Sequence, residues 1–351
     1  MLPDVPLNAQ RLMLPAGLQR EFDSASRQWT GEARVQRLWR RDAGLWTKGG
    51  EDKWLGWLEG PQMARAAVEP LTAFGAEIAR EGFTHALLLG MGGSSLGPEV
   101  LRFTFGHVAG FPDLHVLDST DPAQVATLES RVDLARTLVI VASKSGSTLE
   151  PNVFKQYFFD RVRQVVGPER VGRHFVAITD PGSKMQQVAE QDAFRRIFFG
   201  EPTIGGRFSA LSPFGLVPAA VMGLDLGRIA AEAEVMGEAC RRPDAHANPG
   251  VALGLALGLA ARDGRDKLTI VTSPEIYDLG AWLEQLVAES TGKRGVAIIP
   301  VDLESLGAVD GEVVNVFHTP SIDTEDQTIV TSLPLLQELY DTEDVTFVAA
   351  F

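Results

Sequence analysis

The 351-residue sequence contains a single cysteine, Cys240. One cysteine excludes a disulfide within the chain and is typical of a protein in the reducing cytoplasm, which is the compartment we expect. We predict that Cys240 is a small, partly buried thiol. The first residues also lack a basic start followed by an apolar run, so we expect no signal peptide.

The sequence has no long hydrophobic run and no excess of cationic residues. No window approaches the ~20 apolar residues that span a bilayer. The formal net charge is −14, and such a field does not attract nucleic acid or an anionic membrane. We therefore expect neither partner. A phosphate can still bind where donors are concentrated locally.

Short hydrophobic strands alternate with helical patterns along most of the chain. This alternation predicts an α/β fold with mainly parallel sheets and helices on both faces. Right-handed crossovers then place the loops that follow the strands along one edge of the sheet. Strands are predicted at 84–89, 115–120, 137–143, 175–180, 195–200, 267–273, 295–301, 313–318 and 345–351.

The length favours two domains over one core. We predict a helical, surface-lying segment at 1–57, a first domain at 58–224 and a second at 225–351. A short helix is expected at 332–340. Because the pattern stops on an apolar strand without a helix to cover it, we expect the second domain to be incomplete.

Four tryptophans lie close together near the start of the chain: Trp39, Trp46, Trp54 and Trp57. Such a cluster serves either to stack on a ligand or to pack against a neighbouring domain or subunit. We predict packing.

Two strands end in loops rich in glycine and serine, and a helical pattern follows each. The first loop, GMGGSSLGPEV, contains Ser94, and the second, SKSGSTLEP, begins at Ser143. Glycine lets backbone N–H groups approach an anion, and a helix N-terminus adds its positive dipole end. In the second loop, five of the first six residues carry a hydroxyl or a positive charge: Ser143, Lys144, Ser145, Ser147 and Thr148. The two loops together predict a cradle for one phosphate group.

Each loop also has an alternative interpretation. Glycine-rich turns bind dinucleotides, but the spacing here is G-x-G-G-S-S and not G-x-G-x-x-G, and Asp118 is the only acidic candidate to hold a ribose. We therefore expect no nicotinamide cofactor. The second loop can also be a plain helix N-cap with solvated serines.

Two later segments add candidate catalytic groups. In GGRFSALSPFG, the pair Gly205-Gly206 is predicted to turn tightly and to bring Arg207 towards the cleft, while Ser212 caps a helix that starts at Pro213. In AESTGK, Glu289 lies near the end of an apolar helix. It is either a solvated glutamate or a carboxylate base for a C–H proton.

These four motifs occur in the order and approximate spacing of the glucose-6-phosphate isomerase family, which is built from two sugar-isomerase (SIS) domains of three αβα layers. RRDAGLWTKGGEDKWLGWLE resembles in particular the isomerase half of the bacterial transaldolase–glucose-6-phosphate isomerase fusions. The similarity covers roughly residues 10 to 300. An N-P-F-D-Q-like stretch with a late lysine, which the family carries after this point, is not present.

The resemblance implies the roles of individual residues. It makes Ser94 a substrate contact and makes Ser143, Ser145 and Thr148 phosphate contacts, with Lys144 between them. It places Arg207 beside the reacting carbons and makes Glu289 the base that moves a proton between C1 and C2. It also implies a cis-enediolate, no metal, no cofactor, a homodimer, and fusion to or association with a transaldolase module.

Ring opening is the step with the weakest candidate. The family uses a histidine from a neighbouring subunit together with the late lysine. His318 is the only candidate histidine that we identify, and a structural or exposed role fits it better.

Two rival functions stay open from the sequence. One is a sugar-phosphate-binding module that does no chemistry, and the other is an isomerase of a different phosphosugar such as mannose 6-phosphate.

Overall fold

The computed structural model describes residues 10–303, 313–317 and 347–350. The chain divides into two compact units. One unit is Gly50–Glu234, and the other combines the described parts of Met1–Gly49 and Val235–Phe351. The N-terminal segment therefore belongs to the same unit as the later part of the chain, whereas we expected a separate segment at 1–57.

The unit Gly50–Glu234 contains a parallel sheet of five strands in the order β3-β2-β4-β5-β6. Its strands are β2 (His85–Leu89), β3 (Asp113–Leu117), β4 (Thr137–Ala142), β5 (Phe175–Thr179) and β6 (Arg196–Phe199). Its helices are α3 (Gly60–Arg80), α4 (Leu96–Phe105), α5 (Pro122–Ser130), α6 (Leu149–Val166), α7 (Lys184–Gln191) and α8 (Pro213–Val221).

Helices cover both faces of this sheet because successive strand residues point to opposite sides. In β2, Ala86 and Leu88 lie in one hydrophobic core, and Leu87 and Leu89 lie in the other. The first core contains residues of α3 and α8, and the second contains residues of α6 and α7. All six residues of β4 are buried, as expected for a central strand in a three-layer unit.

The second unit contains another five-stranded sheet, in the order β1-β10-β9-β7-β8. Its strands are β1 (Arg11–Met13), β7 (Lys267–Thr272), β8 (Ile299–Asp302), β9 (Val313–Phe317) and β10 (Phe347–Ala350). Its helices include α1 (Ala16–Gly31), α2 (Arg34–Trp39), α10 (Pro249–Arg262) and α11 (Leu279–Thr291). The helix α9 (Leu226–Ala239) crosses the boundary between the two units.

Strand β1 corrects the prediction of a purely helical N-terminal segment. Its three residues pair antiparallel with β10, whereas the other strand pairs of this sheet are parallel. The next element, α1, does not lie only on the surface, since Leu18 and Phe22 are buried against α10 residues such as Ala256. A three-residue strand has no periodicity to reveal it, and its partner lies more than 300 residues away in the sequence.

Two of the four tryptophans, Trp39 and Trp57, pack within the units that contain them, whereas Trp54 is 52% exposed. Trp39 donates from Nε1 to the carbonyl oxygen of Cys240 at 3.0 Å, and the guanidinium of Arg241 lies over its ring. Trp57 stacks on Phe208 with 5.7 Å between ring centroids. The Cys240 thiol is half-buried, as predicted, and burial raises its pKa.

No helix in the described part of the chain combines the length and apolar character needed to cross a membrane. The helix predicted at 332–340 and His318 lie outside the described residues.

Gly75→Ala is expected to destabilise the unit Gly50–Glu234. The new Cβ would lie 2.0 Å from the carbonyl oxygen of Ala220, where α3 packs on α8. Because this neighbour is backbone, the helices must separate, and overpacking of this kind costs about 1–3 kcal/mol. Urea unfolding followed by circular dichroism should give a lower midpoint at an unchanged slope.

Gly97→Ala is the matched control, since Gly97 is a buried glycine of α4 in the same unit. A Cβ there would make only an ordinary contact, 3.6 Å from Cβ of Ala210. Equal losses in the two variants would contradict the contact with Ala220 as the cause.

Candidate active site

The two loops predicted to hold a phosphate both leave the carboxyl edge of the sheet in the unit Gly50–Glu234. The first follows β2 as a single 3₁₀ turn, Gly92–Ser94, and the second follows β4 and leads into α6. Since β2 and β4 are neighbouring parallel strands, their ends meet at one edge. The prediction that both loops face one crevice is confirmed, because Ser94 and Lys144 line the same space.

That crevice is small. Its volume is about 10 Å³, which is room for roughly one water molecule. Besides Ser94 and Lys144, it is lined by Glu201, Ile204, Gly206, Ser209, Ser212 and Phe214. A sugar phosphate does not fit inside it.

The first loop is held by main-chain contacts with the segment that carries Arg207. A Cβ on Gly93 would lie 2.2 Å from the carbonyl carbon of Gly206 and 2.5 Å from the amide nitrogen of Arg207. The hydroxyl of Ser209 donates to the carbonyl oxygens of Gly93 at 3.1 Å and Gly206 at 2.6 Å. The two segments therefore pack backbone to backbone, with one serine joining them.

The pair Gly205-Gly206 turns the chain without a left-handed residue, because Gly206 begins the 3₁₀ helix Gly206–Leu211. Neither residue has a positive φ, and Gly205 is extended with φ −66° and ψ 149°. The close approach requires glycine at position 93, whose missing Cβ makes room for Gly206. The helix start at Ser212 and Pro213 is as predicted, since the Ser212 side chain accepts a hydrogen bond from the amide of Phe214.

Arg207 is half-buried and lies beside an aromatic pair. Its guanidinium carbon is 4.9 Å from the centroid of the Phe208 ring, and Phe208 stacks on Trp57 with an interplanar angle of 19°. This packing limits the positions open to the arginine. The sequence suggested neither aromatic residue as a support, although Phe208 lies inside the motif.

The second loop presents its hydroxyl groups to solvent. Ser145, Ser147 and Thr148 are exposed. Thr148 is the N-cap residue of α6, yet its side chain makes no capping hydrogen bond. The hydroxyls of Ser145 and Ser147 are 2.7 Å apart, so the loop forms a compact group of neutral donors at the start of an 18-residue helix.

Gly146 fixes this loop against the next helix. It has φ +67°, and a Cβ there would lie 2.2 Å from the amide nitrogen of Met185, near the start of α7. Ser143 is buried, and its hydroxyl has no hydrogen-bond partner within the described part of the chain. This hydroxyl can therefore form a hydrogen bond with a bound water or with a ligand oxygen.

Lys144 is tied to the protein itself. Its ammonium group pairs with Asp180 and donates to the carbonyl oxygens of Glu201 at 3.1 Å and Pro202 at 3.3 Å. These partners account for its three donors. A role in binding phosphate stays a prediction, and it requires this ion pair to open. Asp180 directly follows β5, the strand next to β4. A polar residue at the end of this neighbouring strand was therefore the signal in the sequence for a partner of Lys144.

Glu289 lies in the other unit, in the last turn of α11, and it is exposed. Its Oε1 accepts a hydrogen bond from Nε2 of Gln285 at 3.0 Å. The helix end is closed by Thr291, whose hydroxyl donates to Val287 O and accepts from the amide of Ile298, each at 2.9 Å. Glu289 is thus carried on a well-fixed helix terminus.

No group of three or more His, Cys, Asp or Glu side chains able to hold a metal ion occurs among the described residues.

The chain is similar to known proteins over the segments that carry these residues. The family model described as phosphoglucose isomerase matches residues 75–308, a range that contains both loops, Arg207 and Glu289. A curated glucose-6-phosphate isomerase of Cyanothece sp. (strain PCC 7425 / ATCC 29141) is 34% identical over 260 residues, 68% of this chain and 49% of that protein. That of Thermosynechococcus vestitus is 37% identical over 220 residues, 60% of this chain and 40% of that protein. The chain spans about half the length, or less, of these relatives.

Solved structures share the fold. A hypothetical protein of Thermus thermophilus superposes with a TM-score of 0.73 at 24% identity, covering 97% of this chain and 88% of that one. A glucose-6-phosphate isomerase of Chlamydia trachomatis gives 0.66 at 21% identity, covering 91% and 68%. The predicted fold class, α/β with mainly parallel sheets of the sugar-isomerase type, is confirmed.

Gly93→Ala is expected to separate the first loop from the segment that carries Arg207. The unit should lose about 1–3 kcal/mol of stability from overpacking, and binding of inorganic phosphate should weaken as the loops move apart. Urea unfolding and calorimetric titration with phosphate measure the two effects.

Gly205→Ala is the control. A Cβ at Gly205 would lie 3.5 Å from the Phe208 ring, and its φ is open to any residue, so we expect little change. A Gly205→Ala variant as damaged as Gly93→Ala would contradict the assignment of the close contact to Gly93.

Proposed function

The chain belongs to the phosphoglucose isomerase family, and from this premise we propose that it acts on sugar phosphates as an aldose–ketose isomerase. The proposed reaction interconverts glucose 6-phosphate and fructose 6-phosphate, a step of glycolysis and gluconeogenesis, through a cis-enediolate. The observation that carries the proposal is the serine loop at the start of α6, which lies with Arg207 and Glu289 inside the family match.

The phosphoryl group of the substrate binds at the second loop. Ser145 and Thr148 donate hydroxyl hydrogen bonds, and the amides at the start of α6 add the positive end of the helix dipole. Ser143 adds a further phosphate contact, Lys144 joins it when its ion pair with Asp180 opens, and Ser94 contacts the sugar. Holding the phosphoryl end makes the reaction at the other end effectively intramolecular.

Proton transfer occurs at the other end of the open-chain sugar. The carboxylate of Glu289 takes the proton from C2 of the aldose, and C1 and C2 become joined by the enediolate double bond. The same carboxyl group returns the proton to C1 while the O2 hydroxyl proton passes to O1, so that the carbonyl group moves to C2. Arg207 stabilises the negative charge that develops on oxygen, an effect worth ~3–4 kcal/mol for one well-placed donor.

No step in this scheme requires a metal ion or a redox cofactor, because the carbonyl group of the sugar itself makes the neighbouring C–H acidic. We further propose a homodimer in the cytoplasm, with a transaldolase module as a fused or associated partner. The single cysteine supports the reducing compartment. The motif RRDAGLWTKGGEDKWLGWLE supports the transaldolase partner.

Removing hydroxyls from the second loop is expected to weaken substrate binding. Ser145→Ala and Thr148→Ala should each raise KM about 5- to 10-fold, since a net hydrogen bond contributes about 1 kcal/mol and more when the acceptor is charged. Turnover should change little because these groups contact the phosphate in substrate and transition state alike. A coupled assay against glucose 6-phosphate and against mannose 6-phosphate measures both parameters and compares the two sugars.

Ser130→Ala is the matched control, because Ser130 is an exposed serine at the end of α5 in the same unit. It should leave KM unchanged. An unchanged KM in both loop variants would remove the second loop from substrate binding.

Glu289→Gln is expected to lower turnover at least ~100-fold while substrate still binds. Glutamine keeps the size of the side chain but cannot take a proton. In D₂O, the wild-type chain should exchange solvent deuterium into C1 or C2 of the sugar, because the proton on a carboxyl group exchanges before it is returned. The variant should lose this exchange together with turnover, and NMR of the sugar follows both.

Glu284→Gln, on the same helix, controls for the loss of one carboxylate and should retain full activity. Binding of glucose 6-phosphate without turnover or exchange by the wild-type chain would favour a binding module over an enzyme. Unchanged turnover in Glu289→Gln would remove Glu289 from the mechanism.

A further inference from the structure

The amino edge of the sheet in the unit Gly50–Glu234 carries a row of basic residues. Arg136 directly precedes β4, His174 directly precedes β5, and Arg195 directly precedes β6. Because these are three adjacent parallel strands, the three residues lie side by side. This edge is opposite to the one from which the serine loops leave.

A cavity of about 340 Å³ lies at this row. Two more arginines, Arg170 and Arg173, line it together with Arg136, His174 and Arg195. We call these five residues the arginine pocket. Four arginines around one cavity stand out in a chain whose formal net charge is −14.

Two of the arginines are held by the backbone through one nitrogen. Nε of Arg136 donates to the carbonyl oxygen of Gly82 at 3.0 Å, and Nε of Arg170 donates to that of Val166 at 2.8 Å. For both, the terminal guanidinium nitrogens have no hydrogen-bond partner among the residues that the structure describes. The guanidinium groups are therefore oriented in advance, and the pair of nitrogens that recognises an oxyanion remains available.

The charges of the pocket do not cancel. Arg195 pairs with Glu81 through two hydrogen bonds, of 2.8 and 2.5 Å, and with Glu77 through one of 2.8 Å. Glu81 is the one carboxylate among the lining residues, and it is used by Arg195. Arg136, Arg170 and Arg173 are left as an excess of positive charge.

We propose that the arginine pocket is a second anion site, which binds a small phosphate-bearing molecule. Planar guanidinium groups bind phosphate oxygens in pairs, and the volume is in the range of small-molecule sites. The site uses none of the residues assigned to the isomerase reaction. It is therefore independent of the proposed function, and either can fail without the other.

His174 gives the site a pH-dependent signal. Burial lowers its pKa, and its Nδ1 lies 3.1 Å from the carbonyl oxygen of Thr137. The charged groups near it are Arg170 and Arg195, which also lower the pKa, and Glu81, which raises it. A bound phosphate favours the protonated imidazole and so raises the pKa. By linkage, an anion that raises the pKa of His174 binds the protonated form of the site more tightly, so the shift of this pKa itself reports binding.

The test titrates the full chain with inorganic pyrophosphate and, separately, with glucose 6-phosphate, at low salt and several pH values. Calorimetry measures affinity, and the imidazole C–H signals in NMR report the pKa of His174, assigned with His174→Gln. We expect pyrophosphate to bind with a Kd below ~1 mM and to raise the pKa of His174. A glucose 6-phosphate effect at His174 identifies the sugar phosphate as a second ligand of this site, and its absence restricts the site to oligophosphates.

The variant Arg170→Gln/Arg173→Gln should weaken this binding at least ~10-fold. Neither arginine forms a salt bridge with a carboxylate of the described residues, so circular dichroism should show an unchanged fold. Arg163→Gln removes one exposed arginine on α6 outside the pocket and controls for the loss of a positive charge from the surface. Ser145→Ala controls for binding at the second loop. Neither control should change the response of the His174 signal to the anion.

Three results would overturn the proposal: no effect of either anion on His174 up to ~10 mM, equal losses in Arg163→Gln and the double variant, or a His174 response abolished by Ser145→Ala. The last two would assign the binding to general charge and to the serine loop, respectively.

Discussion

The candidate site depends on main-chain segments that pack against each other without side chains between them. Gly93 lies against Gly206 and Arg207, and Gly146 lies against Met185. Both contacts exclude a Cβ, since one would come within 2.2 Å of backbone atoms. Segments that pack this closely cannot shift independently. They therefore fix the positions of the backbone that carries the loop hydroxyls and Arg207.

The second loop offers little net positive charge to a ligand. The one lysine of the second loop is neutralised by Asp180 and by two carbonyl oxygens. The donors that remain exposed on that loop are hydroxyls and the amides at the start of α6, which carry only partial charges. A neutral cradle costs less than a buried cation when no ligand is present. It also suits a ligand that must leave after reaction, because binding is spread over several modest hydrogen bonds.

The sequence predicted the parts of the fold that local pattern determines. Runs such as TLVIVA are apolar on both faces, which only a central strand of a covered sheet requires, and this strand is found at Thr137–Ala142, close to the predicted 137–143. Ser212 and Pro213 mark a helix start that depends on two adjacent residues. Strand β1 was missed because it depends on pairing with β10, a contact between distant parts of the chain. The candidate site was predictable to a similar extent. Composition and position along the chain identified the loop residues but not all of their contacts. The support of Arg207 by aromatic rings was not predictable, since it depends on which side chains meet across separate segments. For the partner of Lys144, the signal was a polar residue at the end of the adjacent strand.

The arginine pocket lies at the opposite edge of the same sheet. There the residues that enter the strands carry full charges. Arg195 is balanced by Glu77 and Glu81, while Arg136 and Arg170 are anchored, within the described part of the chain, only to the backbone. An arginine retained for stability alone would be expected to end on a carboxylate, of which this acidic chain has many. An excess of unbalanced guanidinium groups that the backbone already orients is better explained by an anion from solution.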